Sequence, residues 1–379
     1  MSAYWNSRVR KLDPYTPGEQ PRDRKFIKLN TNENPYPPPP GVIAAIQEAA
    51  GEGLRLYPDP DCLLPRMAIA EQYGVRPGQV FAGNGSDEVL AFAFAAFFGK
   101  GAGGDDDAVL PLLFPDITYS FYPVYAGLWD IPFKTIPLTE NFTIAPDNYR
   151  VDSGGVIFPN PNAPTGIALK AKEILPVAEY QGRNNRVVIV DEAYGAFAGS
   201  GPLPGRGFLG AESLVPYTDR YPNMLTVHTL SKTASLAGLR AGFAIGSEPL
   251  IEGLCRVRDS FNSYPVDRLA QAGIAAAMAG TPYYAETARK LIATRERIAP
   301  LLRKEGFETL PSAANFIFIR HPEKTGAELF AALRERGILV RHWDKGRIAD
   351  FLRVSIGTDA EMNEFLNAAR QITGNKKWK

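Results

Sequence analysis

The chain has 379 residues, 45% of them hydrophobic and 22% charged, which is ordinary for a globular protein with one large and one smaller domain. Its formal net charge of +1 argues against a nucleic-acid surface, because such a surface usually carries a basic excess. The two cysteines and three histidines lack metal-ligand spacing, which argues against a local zinc motif and fits a reduced, cytoplasmic compartment.

Taken in chain order, the sequence predicts an N-terminal arm (1–35), a large α/β domain (36–262) and a small C-terminal α+β domain (263–379). No stretch near the N-terminus resembles a signal peptide. Beyond the proline run at 35–41, short β-rich runs alternate with helical patterns, which predicts a mainly parallel sheet covered by helices on both faces. The most apolar run, 89–98, is about half as long as a membrane span and is predicted to be a buried helix.

Polar residues follow five consecutive predicted strands of the large domain. The pairs are QVFAG before NGSDE, AVLPLLFP before DITYSFY, GVIF before PNPNAPTG, RVVIV before DEAY, and MLTVH before TLSK. In open α/β sheets, ligands bind at the carboxyl ends of the strands. The five polar tips therefore predict one assembled site.

The first of these tips predicts an anion site. Residues 83–88, GNGSDE, are predicted to open a helix that starts at Val89, with Gly85, Ser86 and Asp87 at its N-terminus. Free backbone N–H groups at such a terminus, and glycines that allow close approach, suit a phosphate. The motif lacks the third glycine of a dinucleotide fingerprint and the GK[ST] of a P-loop, so a plain helix start capped by Ser86 or Asp87 is an alternative.

Two further tips carry an acid and an amine. Asp191 follows a buried strand, so its carboxylate must be paired, either with a structural cation or with a pyridinium nitrogen. A nucleophilic Lys232 needs a lowered pKa, which burial and the nearby Arg240 cation would provide. Arg240 can also bind a phosphate through two hydrogen bonds, and Thr229 and Ser231 add hydroxyl groups. A lysine, a phosphate clamp and a buried aspartate are together what pyridoxal phosphate requires of a protein.

The last predicted strand, in FLRVSI, carries an arginine on its non-core face. Leu352, Val354 and Ile356 share one face of this strand. Arg353 therefore points away from their core, either to water or into a cleft.

Several motifs in a fixed order resemble one enzyme family. They are LNTNENPY (29–36), YPDP (57–60), GNGSDE (83–88), PNAPTG (161–166), DEAY (191–194) and the segment from TLSK to GLRAGF (229–243). Together they resemble the fold-type I, pyridoxal-phosphate-dependent aminotransferases, and within that family the histidinol-phosphate aminotransferases. The resemblance extends from about Leu29 to Gly357. It implies a mainly parallel sheet covered by helices with a smaller C-terminal α+β domain.

The resemblance also implies how the cofactor would be held. Lys232 would form an imine with pyridoxal phosphate and move protons. Asp191 would hold the pyridine nitrogen, and Tyr194 would form a hydrogen bond with the ring hydroxyl. Tyr119 would stack on the ring. The set implied to bind the cofactor phosphate is Gly85, Ser86, Asp87, Thr229, Ser231 and Arg240. Tyr57 of YPDP would reach that phosphate from a partner subunit, which implies a homodimer.

For the substrates, the resemblance implies that Arg353 takes the α-carboxylate of glutamate. Arg341 and Tyr36 would lie near the distal end of the substrate, with Arg341 placed for a phosphate. An arginine in a strand of this kind can also be simply solvated, so both interpretations of Arg341 are open.

Two positions depart from the family pattern. The residue directly before PTG is normally asparagine, which contributes to the ring hydroxyl, and here it is Ala163. Either Asn162 takes that role or Tyr194 acts alone. The residue after Tyr36 is usually glycine and here it is Pro37, which stiffens the entrance to the substrate site.

The expected function is transamination between histidinol phosphate and 2-oxoglutarate. An aromatic or broad-specificity aminotransferase and a threonine-phosphate decarboxylase share the fold and the cofactor and are alternatives within the enzyme class. A third alternative is a regulator that binds pyridoxal phosphate without turnover. Such regulators carry an added DNA-binding domain, for which there is no room before Leu29, and the presence of both Lys232 and Arg353 favours an enzyme.

Overall fold

A computed structural model describes residues 3–21, 23–102, 109–199, 202–203 and 206–374. The strands are β1 (Ile27–Lys28), β2 (Val80–Asn84), β3 (Leu112–Pro115), β4 (Phe133–Ile136), β5 (Val156–Pro159), β6 (Val188–Asp191), β7 (Pro202–Leu203), β8 (Arg206–Gly210), β9 (Met224–Thr229), β10 (Ala241–Ile245), β11 (Glu308–Thr309), β12 (Phe316–Arg320), β13 (Ile338–Leu339), β14 (Arg341–His342) and β15 (Leu352–Ser355). The helices are α1 (Ser7–Lys11), α2 (Pro40–Ala49), α3 (Leu63–Tyr73), α4 (Gly85–Phe97), α5 (Tyr122–Leu128), α6 (Ala171–Gly182), α7 (Leu230–Thr233), α8 (Glu248–Phe261), α9 (Arg268–Ala279), α10 (Thr281–Lys304), α11 (Gly326–Glu335) and α12 (Asp359–Thr373).

The large sheet confirms the predicted mainly parallel α/β architecture. Within the described residues it has seven strands in the order β2-β10-β9-β6-β5-β3-β4. All neighbours are parallel except β10, which runs antiparallel to both β2 and β9. Strand β10 was not among the strands predicted from the sequence. Small and apolar residues around Gly242 carry no periodicity that separates a strand from a buried loop.

Helices cover both faces of this sheet because its strands are apolar on both sides. In β2, Val80 and Ala82 face the cluster formed with α3 and α9, whereas Phe81 faces the cluster formed with α4, α5 and α8. The alternation follows from the two-residue period of a strand. The run at 89–98 is a buried helix as predicted, although α4 begins at Gly85 and not at Val89. Ser86 and Asp87 therefore lie in the first turn, and neither is the capping residue.

The small domain is built on an antiparallel sheet of order β11-β12-β15-β14. Leu352, Val354 and Ile356 are buried in its core, as predicted, together with residues of α10, α11 and α12. The N-terminal segment joins this domain through β1, which pairs in parallel with β13.

The position of the domain boundary stays a prediction at residue 262, but side-chain packing favours a later division. Helix α9 packs against α2 and α3, in the core of the large sheet. Helix α10 contributes Tyr284 to that core, and Ala288 and Leu291 to the core of the small domain. We therefore propose that the division falls within α10. In the described part of the chain, no helix combines the length and the apolar character that crossing a bilayer requires.

Candidate active site

The carboxyl ends of the parallel strands open into a cavity of about 300 Å³ between the large sheet and the small domain. Most of the predicted site residues line it: Ser86, Asp87, Tyr119, Asp191, Tyr194, Thr229, Ser231, Lys232, Arg240, Arg341 and Arg353. The first nine come from loops and tips of the large domain, and the two arginines come from the small domain. The cavity therefore depends on both domains.

Asp191 ends β6 and is only 5% exposed. Its Oδ1 accepts a hydrogen bond from the Ala193 N–H (3.1 Å) and its Oδ2 accepts one from the Tyr122 hydroxyl (3.1 Å). Burial raises the pKa of Asp191 to about 6. No described residue places a cationic group within ion-pair distance of it, so the structural ion pair that the sequence left open is not formed by these residues. A buried carboxylate with neutral partners suits a cationic ring nitrogen.

Lys232 lies in α7, and its Nζ donates to the carbonyl oxygen of Thr31 at 2.8 Å. Burial lowers the pKa of Lys232 to about 8, and the next largest cause is the positive charge of Arg353. The sequence predicted burial together with Arg240. In the structure, Arg353 of the small domain lowers the pKa of Lys232 more than Arg240 does. Lys232 therefore loses its proton at a lower pH than an ordinary lysine does.

Two glycines make room at the N-terminus of α4. Gly85 has a φ of +80°, and a Cβ there would lie 2.7 Å from Nη2 of Arg240. A Cβ on Gly242 would lie 2.2 Å from the backbone nitrogen of Ser86. The guanidinium can therefore sit directly beside the first N–H groups of the helix. Those groups have no partner within the helix, so they and Arg240 form an anion cradle.

The Asp87 carboxylate belongs to the wall of this cradle. It accepts hydrogen bonds from Nη2 of Arg240 (2.9 Å) and from the Tyr119 hydroxyl (2.8 Å). A second anion beside a phosphate would repel it, whereas a carboxylate behind Arg240 orients the guanidinium. The geometry therefore favours binding by the backbone N–H of Asp87, with its side chain as support for Arg240 and Tyr119.

Tyr194 faces the position where the family asparagine is missing. Its hydroxyl oxygen accepts a hydrogen bond from Nδ2 of Asn32 (2.9 Å), and burial raises its pKa, so the hydroxyl keeps a proton that it can donate into the cavity. Ala163 lines the cavity beside it. Asn162 does not, because its Nδ2 donates to the Ile117 carbonyl (3.0 Å) and to Thr165 Oγ1 (3.1 Å). The cofactor role of Asn162 stays a prediction that this geometry does not favour.

Both small-domain arginines reach the cavity without an ion-pair partner among the described residues. Nη2 of Arg353 donates to the Asn30 carbonyl (2.9 Å), and its Nε is buried with no hydrogen-bond partner. Arg341 donates to the carbonyls of Thr16 (3.0 Å) and Pro17 (3.2 Å) in the N-terminal arm. The sequence predicted that Arg353 points either to water or into a cleft, and the structure shows it in the cleft.

Besides Asn162, two predicted residues lie away from the cavity, and Gly85 only borders it. Tyr57 is 78% exposed and stacks on Tyr264 with ring centroids 4.5 Å apart. Tyr36 packs against the small-domain core, with the Lys290 ammonium 5.6 Å from its ring centroid. The roles predicted for both tyrosines stay predictions.

Sequence reasoning missed three contributors to the site. Residues of the N-terminal arm line the cavity, among them Tyr15, which stacks on Phe121 at 4.4 Å. No pattern around Tyr15 indicated this. Asn32 and Tyr122 hold Tyr194 and Asp191, and both lie inside motifs that were noticed, LNTNENPY and DITYSFY. Their polar side chains were the available signal.

Comparison with known proteins agrees with this geometry. Residues 24–368 match the family "Aminotransferase class I and II". The chain is 52% identical to histidinol-phosphate aminotransferase 1 of Bordetella parapertussis (98% of this chain, 99% of the relative) and 50% identical to histidinol-phosphate aminotransferase of Clostridium acetobutylicum (98% and 99%). Its fold is similar to that of the Sinorhizobium meliloti histidinol-phosphate aminotransferase in complex with pyridoxal-5′-phosphate (TM-score 0.83, 23% identity, 100% and 99% covered) and of Thermus thermophilus aspartate aminotransferase with maleate (0.77, 18%, 97% and 99%). The chain belongs to the class I and II aminotransferases and, within them, to the histidinol-phosphate aminotransferase family.

Proposed function

We propose that this protein transfers an amino group between histidinol phosphate and 2-oxoglutarate, with pyridoxal phosphate as cofactor. Relatives about half identical over nearly the full chain are named for the first substrate. The observation that carries the proposal is the pair of small-domain arginines, Arg341 and Arg353, which reach the cavity beside Lys232 without ion-pair partners among the described residues. They suit a substrate or substrate pair that brings a carboxylate and a phosphate.

The residues present fit pyridoxal phosphate. The Asp191 carboxylate would hold the ring nitrogen, Tyr194 would donate to the ring hydroxyl, and the start of α4 with Arg240 would hold the phosphate. Asp191, Tyr194 and Arg240 all line the cavity. When bound, the cofactor supplies an electron-withdrawing ring that stabilises negative charge on the α-carbon of the substrate.

Lys232 would do the proton transfer. Its pKa, lowered to about 8 by burial, allows Nζ to take a proton near neutral pH and to return it. The hydrogen bond from Nζ to the Thr31 carbonyl oxygen fixes the direction of Nζ. Nζ would therefore remove the proton from the α-carbon of the amino donor and deliver a proton to the acceptor in the second half-reaction.

The two arginines would hold the substrates in turn. Arg353, with an unpartnered Nε, would bind the α-carboxylate of glutamate through paired N–H groups. Arg341 would bind the phosphate of histidinol phosphate, exchanging its contacts with the carbonyls of the arm for charge-assisted ones. Arg341 is the residue that would favour this donor over an aromatic amino acid.

A homodimer forms part of the proposal because Tyr57 is exposed and does not line the cavity of its own chain. Several apolar side chains near Tyr57 in the sequence are more than half exposed: Leu54, Leu56, Leu63, Leu64 and Met67. Large exposed apolar patches mark interaction surfaces, and an interface would cover these side chains. Tyr57 of each chain would reach the phosphate site of the other. Sedimentation velocity should find a dimer that Leu64→Asp weakens, and a monomer with full cofactor affinity would contradict it. The cytoplasmic location stays a prediction.

Single-turnover spectroscopy tests the function. The cofactor-loaded protein is mixed separately with histidinol phosphate, phenylalanine and threonine phosphate, and the absorbance of the lysine-bound cofactor is followed. Rapid loss of that absorbance with histidinol phosphate alone is expected. An equal response to phenylalanine would favour the broad aromatic alternative, and release of carbon dioxide from threonine phosphate would favour the decarboxylase.

A further inference from the structure

The carboxylate of Asp191 has one side-chain donor, and it comes from a residue that no motif assigns. The Tyr122 hydroxyl, at the start of α5, donates to Oδ2 of Asp191 at 3.1 Å. The other oxygen, Oδ1, accepts only from the backbone N–H of Ala193 at 3.1 Å. In the described part of the chain these neutral donors are the only hydrogen-bond partners of this buried carboxylate.

Packing holds the Tyr122 hydroxyl in this position. Tyr122 has no exposed surface. Its ring centroid lies 5.7 Å from that of Tyr119, 5.9 Å from that of Phe114 and 6.2 Å from that of Phe94. Three rings around one phenol leave the hydroxyl little freedom to rotate away. The donor is therefore fixed relative to β6 whether or not the cavity is filled.

We propose that Tyr122 is a positioning residue, whose hydroxyl keeps Asp191 ionised and oriented and thereby keeps the ring nitrogen of the bound cofactor protonated. The proposal rests on the proposed function, because it needs pyridoxal phosphate with its nitrogen at Asp191. In a site poor in water, one proton is shared between carboxylate and nitrogen. A donor to the carboxylate stabilises the arrangement with a charged carboxylate and a charged ring over the arrangement in which both are neutral.

Tyr122→Phe tests this, since it removes one oxygen atom from a ring held by its neighbours. The variant is reconstituted with pyridoxal phosphate that carries an NMR-active isotope at the ring nitrogen, and the nitrogen chemical shift is measured. The shift should move from the protonated toward the unprotonated position. The dissociation constant of the cofactor, measured by equilibrium dialysis, should rise on the order of tenfold.

Tyr125→Phe is the matched control. Tyr125 lies one turn further along α5 and is also buried, but its hydroxyl has no hydrogen-bond partner among the described residues. Its removal should leave the nitrogen shift and the cofactor affinity unchanged. In an Asp191→Asn background, Tyr122→Phe should add no further change, because Tyr122 acts through that carboxylate.

Four results would overturn the inference. They are an unchanged nitrogen shift in Tyr122→Phe, an equal change in Tyr125→Phe, a full additional effect in the Asp191→Asn background, and a wild-type nitrogen that is already unprotonated. Failure of the wild-type protein to bind pyridoxal phosphate at Lys232 is a separate result. It would contradict the proposed function itself, so the two failures are distinguishable.

Discussion

Arg341 and Arg353 occupy directly opposite positions on the antiparallel strands β14 and β15, yet neither pairs with a carboxylate among the described residues. Like charges at opposed strand positions are destabilising. Both guanidinium groups lie near the ring of Trp343, whose centroid is 5.4 Å from the guanidinium carbon of Arg341 and 5.3 Å from that of Arg353. Cation–π contacts of this length offset part of the repulsion. The arrangement concentrates positive charge at one end of the cavity, where an anion would relieve it.

The first prediction separates the two arginines. Arg341→Ala should weaken the half-reaction with histidinol phosphate more than the half-reaction with glutamate, because only the first substrate carries a phosphate. Arg353→Ala should show the opposite bias, since only glutamate carries an α-carboxylate. Loss of a charge-assisted pair is expected to cost about 1.5–3 kcal/mol, which corresponds to about one to two decades in affinity. Stopped-flow measurement of both half-reactions in each variant gives the comparison.

Arg347→Ala is a suitable control for this experiment. Its guanidinium donates to the carbonyls of Leu138 (2.9 Å) and Thr139 (2.7 Å), and it does not line the cavity. Both half-reactions should be unaffected. If Arg341→Ala left the histidinol-phosphate half-reaction unchanged, the phosphate role of Arg341 would be wrong.

The second prediction concerns the pH at which Lys232 reacts with the cofactor. Its pKa is lowered to about 8, so the amine is protonated below that pH and free above it. The rate at which cofactor-free protein bonds covalently to pyridoxal phosphate should rise with pH to a plateau, with a midpoint near the lowered pKa. Arg353→Ala should move the midpoint to higher pH, because removing a nearby positive charge favours the protonated amine.

Borohydride reduction and peptide mapping provide the control for Lys232. In the wild-type protein the label should be on Lys232 alone, and Lys232→Ala should bind the cofactor without a covalent bond, because Asp191 and the cradle of α4 remain. A midpoint near that of an ordinary exposed lysine, or label on another lysine, would refute the assignment.

The third prediction tests the anion cradle. Gly85→Ala should weaken cofactor affinity roughly tenfold or more, because a Cβ would lie 2.7 Å from Nη2 of Arg240 and a φ of +80° disfavours alanine by about 1–2 kcal/mol. Gly238→Ala, in the turn before Arg240, is the control, since a Cβ there meets nothing within 4 Å. Fluorescence titration of both variants with pyridoxal phosphate measures the effect. Equal affinities would show that Gly85 does not shape a phosphate site.

Much of the fold was predictable because its signals are local. Apolar runs bounded by glycine and polar residues marked the parallel strands, and their polar tips indicated one site. The start of α4 was placed four residues late because GNGSDE is as typical of a loop as of a first helical turn. Strand β10 was missed because Gly242 and its small neighbours are selected by close packing against Ser86, which is a tertiary constraint.

The chemical partners in the site were harder to predict, because they come from distant parts of the chain. Arg240 was expected to be the main cation near Lys232, as it is the nearest in sequence. Arg353, from the small domain, instead lowers the pKa of Lys232 more than Arg240 does. No local sequence pattern indicates which surface Arg353 faces. The same limit applies to Tyr15, whose arm lies across the cavity through contacts with Phe121.

The fourth prediction concerns Asn32, which joins the small domain to Tyr194. Its Nδ2 donates to the Tyr194 hydroxyl (2.9 Å), its Oδ1 accepts from the Ser355 hydroxyl (2.9 Å), and its backbone has a φ of 57°. Asn32→Gly keeps this backbone conformation and the backbone N–H that donates to Ser355 Oγ (2.8 Å), but it removes the side-chain hydrogen bonds to both hydroxyls. It should lower the free energy of unfolding by about 1–3 kcal/mol. Asn32→Ala should lower it by roughly a further 1 kcal/mol, because alanine is strained in the left-handed region.

Urea denaturation of the cofactor-free variants measures both differences, and Ser355→Ala shows whether the Asn32 contact is the cause. If it is, combining Ser355→Ala with Asn32→Gly should destabilise the protein by less than the sum of the two single changes, because each removes the same hydrogen bond. Fully additive effects would mean that Asn32 and Ser355 act independently. Equal stabilities of the glycine and alanine variants would mean that the positive φ of Asn32 imposes no strain, and Tyr194 would then depend on the side chain of Asn32 alone.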